Sequence, residues 1–361
     1  MAFLSTAYRA FRNLKDAEID VDAPEVFLVG DNGQGKTNFI ESIYLLCFGS
    51  SFRTRRETLL VRDGCEAALV RGRLEGPGGA VRHVAVSLER QGRREIRVDS
   101  RTIRDRMELI ENAPCIVFAH QDLEFVSGPP EMGRRFFNQT QSLFDPLYID
   151  LLRSYRKVLR SRNILLKERN LELLGAFDRN LAEIGQRIQS RRETIVEEFN
   201  RTFAPLFDRV SGTSAPTTIA YRPSWTRGSA VPDIIRHLER TRGRDLSFEA
   251  TGSGPHRDRF VVSRDGKEFA LMASTGQIRL ASLVLRVAQA NFVAAKTRRR
   301  PILLLDDVLL ELDSAKRERF LESLPAYDQA FFTFLPDEQF LAYRSPRTRI
   351  YRVAGGALES S

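Results

Sequence analysis

The sequence predicts an α/β fold: a mixed and parallel sheet with helices around a phosphate loop, and an inserted helical lobe bearing a short antiparallel helical arm. Three observations carry this. A complete G-x-x-x-x-G-K-[ST] motif, Gly30-Asp31-Asn32-Gly33-Gln34-Gly35-Lys36-Thr37, sits between an apolar run and a helical pattern. Far downstream, Ile302-Leu303-Leu304-Leu305-Asp306-Asp307 reads as an apolar strand ending in two carboxylates. Between them, from residue 130 to about residue 210, the chain shows no strand signal.

The phosphate loop points to a nucleoside triphosphate. Glycines at 30, 33 and 35 let the backbone turn sharply and aim its N–H groups at phosphate oxygens on a helix N-terminus. Lys36 supplies a point charge, and Thr37 places a hydroxyl where Mg²⁺ needs an oxygen ligand. Residues 25–29 and 38–48 give the strand and helix that the motif requires.

In chain order, alternation around Phe3, Leu4 and Tyr8, then Ile19 and Val21, predicts early strands, and residues 38–47 read as helix. Residues 67–98 return to short strands about a Gly76-Pro77-Gly78-Gly79 turn, and Ile116-Val117-Phe118 reads as a buried strand. Apolar residues at Leu171, Leu174, Phe177, Leu181, Ile184, Ile188, Ile195 and Phe199 then form a helical seam. A preceding amphipathic stretch from Leu147 to Leu165 folds back against it, giving a hairpin with its tip near 174–178 and arms of roughly 25 to 35 residues, about 40 to 50 Å long. Residues 211–232, rich in Ser, Thr, Pro and Gly, read as a connection back to the nucleotide lobe.

With 361 residues the chain exceeds a single core, so a nucleotide domain plus one insertion is expected. The formal charge of +9, carried mainly by arginine, suits phosphate contact and makes nucleic acid a natural partner; a solvated charged face is the alternative. Three separated cysteines, Cys47, Cys65 and Cys115, lack metal spacing and read as reduced core residues. No apolar stretch approaches the ~18 to 20 residues of a bilayer crossing, and the N-terminus lacks a signal-peptide pattern, so a cytoplasmic, nucleoid-associated protein without membrane contact is expected.

Asp306 is placed to hold Mg²⁺ through its waters, and Asp307 to accept a proton from, or orient, the water that attacks the terminal phosphate. Just before this strand, Ser274-Thr275-Gly276-Gln277 opens a helical pattern, where free N–H groups form an anion site; an ordinary serine N-cap is the plainer reading. The order of phosphate loop, helical insertion, Ser-x-Gly-Gln helix start and acidic strand, followed by Leu310-Glu311-Leu312-Asp313, resembles the ATP-binding-cassette (ABC-type) ATPases. That resemblance implies two ATP molecules sandwiched between two copies of the chain, with Ser274, Gly276 and Gln277 reaching nucleotide held by the opposite subunit.

Within that class the chain resembles the RecF family. The residues carrying the likeness are Phe11-Arg12-Asn13, residues 118–124 with Gly128-Pro129-Pro130 and Arg134-Arg135-Phe136, then Gly254-Pro255-His256-Arg257-Asp258 and the acidic strand. The resemblance implies Arg12, Asn13, Gly30, Asn32, Gly33, Gly35, Lys36, Thr37 and Asn38 at ATP, with Thr37, Asp306 and Gln121 around Mg²⁺. It implies Lys36, Asp307 and Gln121 in a slow hydrolysis. It further implies an ATP-driven homodimer that binds double-stranded or gapped DNA in recombinational repair and helps load recombinase, with RecR and RecO as partners. The expected lobes are 1–120 with 248–361 for the ATPase and 121–247 for the insertion. Arginine-rich faces at Arg134, Arg135, Arg153, Arg156 and Arg160, extending to Arg162, with a further cluster at Arg298-Arg299-Arg300, are candidate duplex contacts, or else solvated surface. His256 and the single Trp225 read as structural. Departures from the family pattern fall at His120-Gln121-Asp122, Arg259 and Leu310, and no histidine follows Thr333 where many cassette proteins sense the γ-phosphate. A transporter energy-coupling subunit, an SMC-like chromosome protein and a binding module with decayed hydrolysis are the rival readings.

Overall fold

The computed structural model describes residues 1–104, 107–119, 123–213, 215–309, 312–337 and 340–361. It divides into two compact units, Met1–Asp122 with Val293–Ser361, and Leu123–Phe292.

The first unit opens with β1 (Ala2–Arg9), β2 (Ala17–Asp20) and β3 (Glu25–Val29), followed by α1 (Lys36–Phe48). Next come β4 (Ala67–Glu75), β5 (Val81–Glu89), β6 (Arg94–Val98), β7 (Arg101–Ile103), α2 (Met107–Asn112) and β8 (Cys115–Phe118). Period-two burial along β4, with Ala68, Val70 and Leu74 inside, explains why these residues form a sheet with one wet face. That antiparallel sheet has the order β2-β1-β4-β5-β6-β7. Gly72 lies on its inner face because a Cβ there would meet Leu46 at 2.7 Å and Phe3 at 2.8 Å.

The second unit contains α3 (Leu123–Ser127), α4 (Pro130–Ser142), α5 (Pro146–Lys167) and α6 (Leu171–Ser211). After these come β9 (Thr217–Arg222), α7 (Val231–Phe248), β10 (Arg259–Arg264), β11 (Lys267–Glu268) and α8 (Thr275–Thr297), whose last turns pass into the first unit. The expected helical hairpin is α5 with α6, but its arms differ, at 22 and 41 residues. Its tip is at 168–170 rather than 174–178, because Leu174 is fully buried against Leu165 and Leu166 and so continues the seam. Buried charge also fixes this hairpin. Arg162, fully buried, donates to Asp178 at 2.7 Å, Asp245 at 2.8 Å and Thr251 at 2.8 Å. It therefore leaves the arginine-rich surface to which the sequence assigns it. Arg192 likewise meets Asp258 at 2.7 Å and the Pro255 carbonyl at 2.6 Å.

The segment 211–232 is not a plain connection. Its residues 217–222 alternate in burial and pair antiparallel with β10 as β9; the Ser, Thr and Pro content conceals that period. Residues 248–292, placed by sequence with the ATPase lobe, pack in the second unit, tied by the β9–β10 pairing, the Arg192–Asp258 pair and a 2.7 Å bond from Gln289 to Thr140.

The chain completes the first unit with β12 (Ile302–Leu305), α9 (Ser314–Glu322), β13 (Gln329–Phe334), β14 (Thr348–Ala354) and β15 (Ala357–Ser360). The central sheet has the order β15-β14-β3-β13-β12-β8, parallel except for β15. Its strands β8, β12 and β13 are buried throughout, as a parallel sheet covered on both faces demands. Cys47 of α1 and Cys115 of β8 meet inside this core as free thiols, where burial pushes the Cys115 thiol up. Contrary to the sequence expectation, α8 has the length and composition of a membrane span, yet 67% of that apolar window is buried within the protein, as in a core helix.

Candidate nucleotide-binding site

The buried strand β3 delivers the chain to Gly30, where a Cβ would come within 2.3 Å of the Val353 carbonyl oxygen of β14. Only glycine allows that approach. Gly35, at φ 122°, ends the loop and starts α1, so the unpaired N–H groups of the first helical turn face the loop. Lys36 is buried and its Nζ donates to the Gly30 carbonyl at 2.6 Å and that of Asp31 at 3.2 Å. Asn32 and Gly33 form the exposed crest. Gln34 anchors the loop from outside: its Oε1 accepts the Gly355 N–H at 2.7 Å and its carbonyl that of Gly356 at 2.9 Å.

The acidic strand arrives beside the loop because β13 lies between β3 and β12 in the sheet. The Thr37 hydroxyl donates to Asp306 Oδ1 at 2.9 Å, joining two motifs 269 positions apart. Burial first, then the neighbouring Asp307 charge, pushes the Asp306 carboxyl up to about 6. Asp307 takes a left-handed backbone, φ 54°, unusual outside glycine. It is held there by Thr333, whose Oγ1 accepts its N–H at 2.7 Å and donates to its Oδ1 at 2.8 Å. One hydroxyl and one half-buried carboxylate suit Mg²⁺, which takes few protein ligands and keeps waters.

A polar cluster flanks the loop. Arg12, itself at φ 49°, makes a two-pronged contact with the buried Glu41 at 2.9 and 3.0 Å. Asn38 donates to Asn13 Oδ1 at 2.6 Å, and Asn13 donates to the Gly33 carbonyl at 3.2 Å. Arg53 donates to Asn38 Oδ1 at 2.7 Å and approaches Glu41 at 3.4 Å, while its charge draws the Asp306 carboxyl down against the effect of burial. Arg53, Glu41 and Thr333 escaped the sequence reading. Glu41 left a signal, an acid inside the apolar run of α1; Arg53 and Thr333 belong to no recognised motif.

In the second unit, the Ser274-Thr275-Gly276-Gln277 helix start forms a reciprocal cap on α8. The Ser274 N–H donates to Gln277 Oε1 at 2.9 Å, and the Gln277 N–H donates to Ser274 Oγ at 3.3 Å. All four residues are exposed. Because Ser274 Oγ accepts in this cap, its own proton stays available for a phosphate oxygen. His256 is held by Tyr155 at 2.8 Å and the Thr251 carbonyl at 3.0 Å, and Trp225, 3% exposed, donates to Ser253. Arg135, Arg153, Arg156 and Arg160 are exposed, Arg153 beside Asp150; half-buried Arg134 donates to the Asp258 carbonyl at 2.9 Å. Gln121, His120, Asp122, Leu310 and Glu311 lie outside the described residues.

The RecF/RecN/SMC N terminal domain family matches residues 5–355. A DNA replication and repair protein RecF from Treponema pallidum is 43% identical over 96% of this chain and 98% of its own length. The chain belongs to the RecF family. Another RecF, from Anaeromyxobacter, is 36% identical over 99% of this chain and 98% of its own. Among solved structures, the recombination mediator protein RecF bound to ATP superposes with a TM-score of 0.90 at 26% identity, covering 99% and 97% of the two chains. An Smc head from Pyrococcus furiosus, 16% identical at a TM-score of 0.58 over 99% of this chain and 95% of its own, shares the ABC-type head fold.

Proposed function

We propose that the site is a switch in which ATP closes two copies of the chain into a DNA-holding dimer and slow hydrolysis opens it. The broader reading follows from family membership: the chain is an ATP-dependent DNA-binding protein of recombinational repair. The observation supporting the switch is the 2.9 Å contact between Thr37 and Asp306, which unites the phosphate loop with the acidic strand. Loop N–H groups and Lys36 grip the phosphates, and Thr37 and Asp306 hold Mg²⁺, which neutralises phosphate charge when bound. Asp307, set by Thr333, would orient the attacking water, and Gln121 would assist at the metal. Arg12, Asn13, Gly30, Asn32, Gly33, Gly35 and Asn38 shape the nucleotide pocket.

Ser274, Gly276 and Gln277 receive the γ-phosphate from the opposite copy, a role supported by their exposed helix start and by the Ser274 hydroxyl, which accepts in the cap and keeps its own proton to donate. Arg134, Arg135, Arg153, Arg156 and Arg160 contribute duplex contacts, and RecR, acting with RecO, is the proposed protein partner. We place the protein in the cytoplasm with the nucleoid. The test is light-scattering mass and duplex-DNA binding measured together, with and without ATP and Mg²⁺. ATP should double the mass and tighten DNA binding in the wild type but not in Lys36→Ala. ATP binding without either change removes the switch.

A further inference from the structure

The outward face of the antiparallel sheet in the first unit takes no part in the site described above. Alternation turns Arg71 and Arg73 of β4 to solvent, both exposed. In register, Arg71 stands beside Ala7 of β1 and Ala85 of β5, and Arg73 beside Ser5 and His83. No carboxylate occupies any of these cross-strand positions. Among the described residues, no hydrogen bond or ion pair engages the Arg71 or Arg73 side chain. Exposed Arg9 ends β1 opposite Leu69 and extends the patch. The acids of this face border the pair and are largely engaged: on the edge strand β2, Glu18 accepts the Ser5 hydroxyl at 2.9 Å and Asp20, across from Ser5, is paired with Arg349; Glu75 and Glu89 stand at strand ends, and Glu95 is held by Arg97 and Thr102.

Strand geometry sets Arg71 and Arg73 about 7 Å apart and Arg9 about 8 Å from Arg71. A flat bed of Ala and Ser carrying unpaired guanidinium groups fits a polyanion. Its aliphatic side chains, half-buried Leu69 and exposed Val81 at a strand end, stand apart rather than clustering as the anchors of a protein-binding patch do. It also presents no Phe, Tyr or Trp at the register positions named here, on which single-strand bases would stack.

We propose that this sheet face is a docking surface for the phosphate backbone of duplex DNA, separate from the arginines of the helical arm. It rests on the DNA binding of the family. The test is duplex binding across a salt series, with ATP and Mg²⁺, for the wild type, for Arg71→Gln with Arg73→Gln, and for the matching Lys pair. The Gln pair should weaken binding and flatten the slope of log K against log salt by about 2, while the Lys pair keeps the wild-type slope. ATP binding and thermal unfolding should match the wild type in both. If the Gln pair binds duplex with wild-type affinity and slope, the docking surface is overturned while DNA binding stands. Equal weakening on a single-stranded probe overturns the duplex assignment. Failure of the wild type to bind duplex would overturn DNA binding itself and the surface with it.

Discussion

On the proposed reading of the site, a proton and Mg²⁺ compete for the Asp306 oxygens. The carboxyl is raised to about 6 in the folded chain, against about 3.9 unfolded, so folding takes up a proton between those values. Its contribution to stability is therefore fully present below the unfolded value and lost as pH rises through about 6. Metal–nucleotide binding runs the other way, because Mg²⁺ needs the ionised form. Calorimetric titration should show affinity for Mg²⁺–ATP dropping about tenfold per pH unit below 6. Asp306→Asn should lose both the metal-dependent affinity and the pH dependence. Much of this residue-scale placement is legible in the sequence: Lys36, Thr37, Asp306 and Asp307 announce themselves by spacing and by the apolar runs ahead of them. Arg53 and Thr333 are not, since each acquires its place from tertiary contact with Asn38 and Asp307 alone.

Among the elements, the α5–α6 hairpin shows what pattern can and cannot give. Apolar spacing predicts two helices and the seam between them, but the tip depends on which turn can close, and burial of Leu174 moves it to 168–170. Periodicity also treats Arg162 as surface, whereas three polar groups convert it into a buried tie between α5, α6 and α7. Arg162→Leu leaves Asp178 and Asp245 buried without it and should cost about 3–5 kcal/mol in chemical denaturation. The α8 start gives a second prediction. Ser274→Arg adds bulk and charge to an exposed cap, so nucleotide affinity of the single chain should stay within about twofold while ATP no longer raises the scattering mass. Dimerisation of that variant with ATP would remove the sandwich arrangement.

For the whole molecule, sequence conveyed the class more surely than the division into units. Motif order alone pointed to the ABC-type head, now matched along nearly the full chain by a RecF structure. The boundary at 248 was harder to read because β10 pairs with β9 across an entire helix, α7, and such pairing leaves no local trace. The meeting of Cys47 and Cys115 in the core has a practical consequence at this scale. With those two thiols buried, Cys65, half-exposed, is the thiol within reach of a maleimide dye. Unmodified protein therefore accepts one label per chain, and energy transfer between like dyes can follow two copies coming together without altering a single residue.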